Sequence, residues 1–108
     1  MLTVLFYRSV SLDELHDILH TKKFRIPNNS LEGKFFAETL EEARAWGDIL
    51  NATDEFRIVR VELEEHVYEI LEVFPNLDGI GTAYYVSQDK LDTFNRFILS
   101  VMEVSDEI

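Results

Sequence analysis

Residues 2–19 read LTVLFYRSVSLDELHDIL, and the change of rhythm inside this stretch decides the fold class. Leu2 to Val10 is largely apolar and rich in β-formers, which predicts a buried first strand. Ser11 stops that run and stands three residues before Glu14, the spacing of an N-terminal capping box. Leu12, Leu15, Ile18 and Leu19 then recur at helical intervals, so the strand passes directly into an amphipathic helix that frays near Thr21.

The same strand-to-capped-helix step repeats further along. Lys23 to Ile26 is expected as a short strand, and PNNSLEG at 27–33, dense in turn formers, as a loop. Gly33-Lys34-Phe35-Phe36-Ala37 is expected as a strand, after which Thr39 and Glu42 make a second capping box. The helix they open carries Leu40, Ala43, Trp46 and Leu50 on one side, with Glu41, Arg44 and Asp48 toward water. A turn at Asn51–Glu55 leads into the strand FRIVRVEL at 56–63. EEHVYEILEVF at 64–74 has Val67, Ile70, Leu71 and Phe74 at helical spacing, with a continuing strand as the competing reading. PNLDGIG at 75–81 is expected as a loop and AYYV at 83–86 as a strand. Ser87 is expected to cap a last helix that buries Leu91, Phe94, Ile98, Leu99 and Met102.

This order, β-α-β-β-α-β-α-β-α, lacks regular βαβ spacing and has no Gly-rich phosphate loop after a strand, which disfavours a doubly wound nucleotide fold. It predicts one α+β domain over residues 1–108, built on a split, mostly antiparallel β-sheet with flanking helices. A chain of 108 residues is long enough to bury its own core without disulfides or metal. With 46% hydrophobic and 29% charged residues the composition is that of an ordinary globular chain. The chain has no cysteine, which excludes a disulfide framework, a thiolate metal site and a cysteine nucleophile. That composition suits a reducing compartment. The N-terminal stretch has no basic leader and no small-residue cleavage site, and no apolar run approaches the roughly 20 residues of a membrane span. The expectation is a cytoplasmic protein with no membrane partner. Ten Lys and Arg against 21 Asp and Glu leave a net charge of -11, which repels phosphate backbones and argues against duplex nucleic acid. A small anionic ligand remains compatible where a few cations converge in a cleft.

Three segments carry a resemblance. Tyr7 and Arg8 lie near the end of the first strand, just before a capped helix. GKFFAETLEEARAWG follows at 33–47, and AYYVSQDKLDTFN at 83–95 closes a strand into a helix. Together, from Leu5 to Asn95, they resemble the ADP-ribosyltransferase-like fold, particularly the small bacterial members found as effector or toxin domains. The resemblance implies a domain that binds NAD. Arg8 takes the place of the first-strand residue that contacts the dinucleotide, and Phe35 and Trp46 take the two aromatic positions that sandwich the nicotinamide. Gly33 and Phe36 lie in the same motif, and Tyr7 and Ser9 flank the arginine with hydroxyls.

The chemistry of these side chains is coherent with that implication. A guanidinium is a permanently charged fork suited to a pyrophosphate or ribose edge. A flat heteroaromatic cation seeks π faces for stacking and cation–π attraction. Gly33 permits close backbone approach to a ligand. One departure stands out: where the family carries a catalytic glutamate in E-Y-x-V, this chain reads Ala83-Tyr84-Tyr85-Val86. Either another acid substitutes, with Asp78 in the LDGIG loop or Asp89 after the strand as candidates, or the domain is not a conventional transferase. The first reading is an enzyme that transfers ADP-ribose or hydrolyses NAD. The second is a catalytically degenerate member acting as a protein-interaction module or homodimer through an apolar tail (Val101, Met102, Val104, Ile108).

Each of these residues also has a plainer reading. Arg8 at a strand end readily pairs with a carboxylate in so acidic a chain. Phe35 and Trp46 fit ordinary core packing, and Asp78-Gly79 fits a tight turn needing positive φ. His16-Asp17-Ile18-Leu19-His20 imitates the H-E-x-x-H zinc motif, but aspartate replaces the glutamate base and no third ligand is placed. The acidic run Glu62, Glu64, Glu65, Glu69 and Glu72 lacks calcium-loop spacing and reads as a solvated face. No metal is expected.

Overall fold

The computed structural model describes residues 2–26, 32–50 and 54–104. β1 (Thr3–Val10) runs into α1 (Leu12–Thr21), and β2 (Lys34–Ala37) runs into α2 (Leu40–Leu50). β3 (Arg57–Glu64) is followed by a 3₁₀ turn at Glu65–Ile70 and then by β4 (Glu72–Leu77) and β5 (Gly81–Val86). A short 3₁₀ turn at Gln88–Lys90 opens α3 (Leu91–Arg96), and β6 (Ile98–Val104) ends the described chain.

The strands form one six-stranded sheet in the order β4-β5-β2-β1-β3-β6, antiparallel at every pairing. The fold is therefore α+β, an antiparallel sheet flanked by helices. β1 pairs with β3 along its whole length, from Thr3 opposite Glu64 to Val10 opposite Arg57. β1 and β2, in contrast, share a single register pair, Tyr7 with Ala37. The ladder is thus extensive within β4-β5-β2 and within β1-β3-β6, and narrow between the two.

Side-chain alternation assigns the two faces. Phe6, Phe36, Tyr84, Val59, Val61 and Leu63 point to one face and join Leu15 and Ile18 of α1 and Phe94 of α3 in the main core. Tyr7, Ala37 and Ile58 point to the other, where α2 packs with Ala43, Trp46 and Leu40. Both helix starts follow their capping residues: Ser11 Oγ accepts from the Glu14 amide at 3.1 Å and Thr39 Oγ1 from the Glu42 amide at 3.1 Å. Glu41 and Asp48 are exposed as expected, whereas Arg44 is half-buried.

Three expectations are corrected. Residues 98–104 form β6 and not the end of a helix; α3 stops at Arg96, and Val101 is buried beside exposed Leu99 and Met102. The segment ILSVMEV fits both periods, and the free edge of β3 supplies the ladder that decides between them. The helical spacing at 64–74 yields only the 3₁₀ turn, after which Glu72 to Leu77 pairs with β5 as an exposed edge strand, so the loop expected at 75–81 shrinks to residues 78–80. Residues 23–26 join no strand. There the Asn95 side chain replaces a ladder, accepting from the Phe24 amide and donating to the Phe24 carbonyl, both at 2.9 Å. Most of the expected loop at 27–33, part of the turn at 51–55, and Ile108 lie outside the described residues.

Phe24 is fully buried, so its backbone groups have no water to fall back on when Asn95 is removed. Asn95→Ala is expected to lower stability by about 1–3 kcal/mol, the cost of orphaning buried polar groups. Urea denaturation checks this: the midpoint falls while the slope stays constant.

Candidate functional site

Beyond the single Tyr7–Ala37 pair, β1 and β2 diverge, and a cleft of about 480 Å³ opens there. It collects side chains far apart in sequence: Tyr7, Arg8 and Ser9 from β1, Phe35 and Phe36 from β2, Trp46 from α2 and Asp78 from the β4–β5 turn. Glu14, Ala37, Ala43 and Ala83 also line it. Of the residues singled out from sequence, Gly33 and Asp89 are not among the lining. Gly33 approaches β5: its amide donates to the Tyr85 hydroxyl at 3.0 Å, and a Cβ there would collide with the Val86 carbonyl. Asp89 is exposed in the Gln88–Lys90 turn, where it accepts from Ser87 Oγ at 2.6 Å.

Arg8 is the most heavily bonded of these residues. Its Nε and Nη2 donate to the two carboxylate oxygens of Glu14 at 2.8 and 3.2 Å, and its Nη1 donates to the Phe35 carbonyl at 3.0 Å. The guanidinium also sits 6.0 Å from the centre of the Phe36 ring. It spans the gap that β1 and β2 leave, tying α1 and β2 to its own strand. Three of the five N–H groups of an arginine are engaged in this way. The pairing with a carboxylate considered from sequence is met by Glu14, which is part-buried and not at the surface.

Lys34 completes the cluster. It is only 6% exposed, and its ammonium donates to Glu14 Oε2 at 3.2 Å. Burial would raise the Glu14 carboxyl, but Arg8 and then Lys34 override it and hold the group below its ordinary value. Burial, reinforced by the Arg8 charge, depresses the Lys34 ammonium, and Glu14 restores part of that.

Phe35 is 43% exposed and does not fill the core. Its ring meets Tyr85 at 4.7 Å and Phe74 at 5.9 Å, so three strands present an aromatic platform beside the cleft. Asp78 adopts φ 57° next to Gly79 at φ 71°, so the turn reading holds, and the same turn carries Asp78 to the cleft. Ala83 is 1% exposed and lies between Ala37 of β2 and Phe74 of β4. Ile49 and Leu50 of α2 are exposed, although Leu50 lines the cleft mouth.

Sequence reading missed Glu14, Lys34, Phe74 and Tyr85. Glu14 was legible only as a capping acid; a helix of period 3.6 starting right after Arg8 does, however, return its third residue toward the strand end. Glu42, the other capping acid, turns its carboxylate against Gly81, and one oxygen is buried with no hydrogen-bond partner among the described residues. His16 and His20 are exposed, and no group of three metal-ligating side chains forms among the described residues. No helix among the described residues is long and apolar enough to cross a membrane. Compared with known proteins, the chain matches no family model, no curated protein and no solved structure.

Three outcomes follow from this packing. Gly33→Ala is expected to push β2 off β5 and cost about 1–3 kcal/mol, as overpacked sites do, read as a lowered urea midpoint. Glu14 contributes stability that is complete above its ordinary value of 4.5 and is lost as pH falls through its lower folded-state value. The stability difference between the wild type and Glu14→Gln, followed by denaturation against pH, should therefore be largest near neutrality and shrink in acid. Lys34 acts oppositely: its depressed ammonium weakens the fold at neutral pH, and that cost is relieved as pH rises toward 10.5.

Proposed function

We propose that the cleft binds NAD, making this an ADP-ribosyltransferase-like domain. One observation carries the reading: residues chosen from three distant segments by the family resemblance line one cleft, at the place where the sheet divides. Arg8 meets the anionic or ribose portion of the dinucleotide through the N–H groups its partners leave. Phe35, backed by Tyr85 and Phe74, offers a π face for the nicotinamide, with Trp46 across the cleft on α2. Tyr7 and Ser9 supply hydroxyls from the strand on which Arg8 sits. Gly33 serves this arrangement from behind, by letting β2 approach β5.

Chemistry at the nicotinamide–ribose bond needs a carboxylate to stabilise the developing positive charge on the ribose. Asp78 fits that role better than Asp89, because Asp78 lines the cleft and Asp89 does not. The domain then transfers ADP-ribose to an acceptor or hydrolyses NAD, in the cytoplasm where the dinucleotide is met. The buried Ala83 favours a second reading, a catalytically degenerate member that engages a protein partner or a second copy of itself. Met102 on the β6 edge is 47% exposed and suits such a contact, whereas Val101 is buried and unavailable.

The test is an NMR titration of the labelled protein with NAD, with free nicotinamide followed in the same tube. Saturable shifts at Arg8, Phe35 and Trp46 are expected, weakened in Arg8→Ala and Trp46→Ala. Nicotinamide release that disappears in Asp78→Asn assigns the acid. Binding without release supports the degenerate reading, and an absence of shifts at millimolar NAD would sink the nucleotide reading altogether.

A further inference from the structure

An arginine on a strand end is a flexible chain, and immobilising it in an unassisted site costs side-chain entropy. In this molecule that ordering is already accomplished. Glu14 grips Nε and Nη2 from α1, and the Phe35 carbonyl grips Nη1 from β2. Glu14 enters the cleft lining with the arginine it holds. We propose that Glu14 is the positioning residue that sets Arg8 for the anionic part of a dinucleotide, with Lys34 as a second cation bonded to the same carboxylate. The proposal rests on the reading of the cleft as a NAD site.

The charge arrangement makes this more than a surface pair. Glu14 lies between two cations, and these three groups carry one net positive charge in a chain whose total is -11, with the Asp78 carboxylate elsewhere in the same cleft lining. Had Glu14 only Arg8 for a partner, the pair would be neutral and would offer little to an anion. The buried Lys34 restores the positive sign without occupying the cleft itself, since it opens instead on a neighbouring cavity. The other charged groups around Glu14 are Asp13 and Asp17 of α1 and Arg25, which line that cavity with it; Arg25 is paired with Asp17. An approaching phosphate finds a fixed fork with a second positive charge behind its holder.

The experiment compares NAD affinity for the wild type, Glu14→Gln, Glu14→Asp and Lys34→Met from about pH 4 to about pH 8, with circular dichroism establishing the fold of each. Glu14→Gln should weaken NAD by about tenfold or more, through the loss of charge-assisted bonds that hold the fork, with partial recovery in Glu14→Asp. In Lys34→Met the carboxyl loses its second cation and titrates at higher pH. The acid limb of its affinity profile should therefore move upward relative to the wild type, a change that a purely structural role would not produce. Glu14→Gln leaves two cations facing each other and risks unfolding. Glu14→Asp and Lys34→Met then decide, the latter placing an apolar chain of similar length in a buried position. Wild-type affinity in the Glu14 variants, or an unmoved acid limb in Lys34→Met, overturns this proposal alone. A wild type that itself shows no saturable NAD binding overturns the cleft reading and this proposal together.

Discussion

The two halves of the sheet meet at one register pair, Tyr7 with Ala37, and what happens beside that pair governs the molecule. Strands that diverge leave amide and carbonyl groups without ladder partners, and such groups must be satisfied or hydrated. The Phe35 carbonyl is satisfied by Arg8, so a side chain does across the gap what a backbone amide would have done in a continuous sheet. A cation in that position needs an anion. α1 begins immediately after β1, and its first turn brings Glu14 within reach. The cleft is the space this substitution leaves open.

Such clusters are poor stabilisers when measured against well-packed apolar groups, because removing charges from water is costly. Their value lies in what breaks when one member is lost. With Glu14 absent, two cations remain partly buried with no anion between them; with Arg8 absent, Glu14 retains Lys34. The cluster is therefore asymmetric: losing the arginine strips the Phe35 carbonyl of its donor but leaves the carboxylate a cation, and losing the glutamate leaves two cations and no anion. Lys34 lies 3.2 Å from the same oxygen that Arg8 Nε contacts, so both cations lean on one carboxylate.

Much of the fold was legible where local chemistry alone decides it. Ser11 and Thr39 mark helix starts because a hydroxyl accepting an amide is a local event. β1, β2, β3 and β5 announce themselves through apolar, β-branched and aromatic runs. The failures fall where tertiary partners decide. ILSVMEV becomes a strand because β3 has a free edge, and no residue within 98–104 encodes that edge. Phe24 is held by Asn95, some seventy positions away, through an amide that looks from sequence like one more polar residue on a helix. The site divides in the same way. Arg8, Phe35, Trp46 and Asp78, singled out through the family resemblance, line one cleft, while Glu14 and Glu42 were absorbed into capping boxes. In both boxes the serine or threonine accepts its amide, while the glutamate carboxylate turns elsewhere, to Arg8 and Lys34 in one case and against the strand at Gly81 in the other.

That second diversion bears on the alanine at 83. Across four strands the register runs Tyr7, Ala37, Ala83, Phe74, two small residues between two aromatic ones. This row forms a trough, and α2 settles over it with Ala43, itself 1% exposed against Ala37. Small side chains at 37 and 43 let the helix lie close to β2, and Ala37, Ala43 and Ala83 line one cleft with Trp46. A glutamate at 83 would enter the space that Ala37 and Ala43 also line. Alanine there leaves the row without an acid of its own. The acids come from elsewhere: Glu42 reaches the row's neighbour Gly81 from the helix, and Asp78 reaches the cleft from the turn. In this chain carboxylates surround the trough from outside the strand, so the chemistry of the cleft is to be sought in α2 and the β4–β5 turn before it is declared absent.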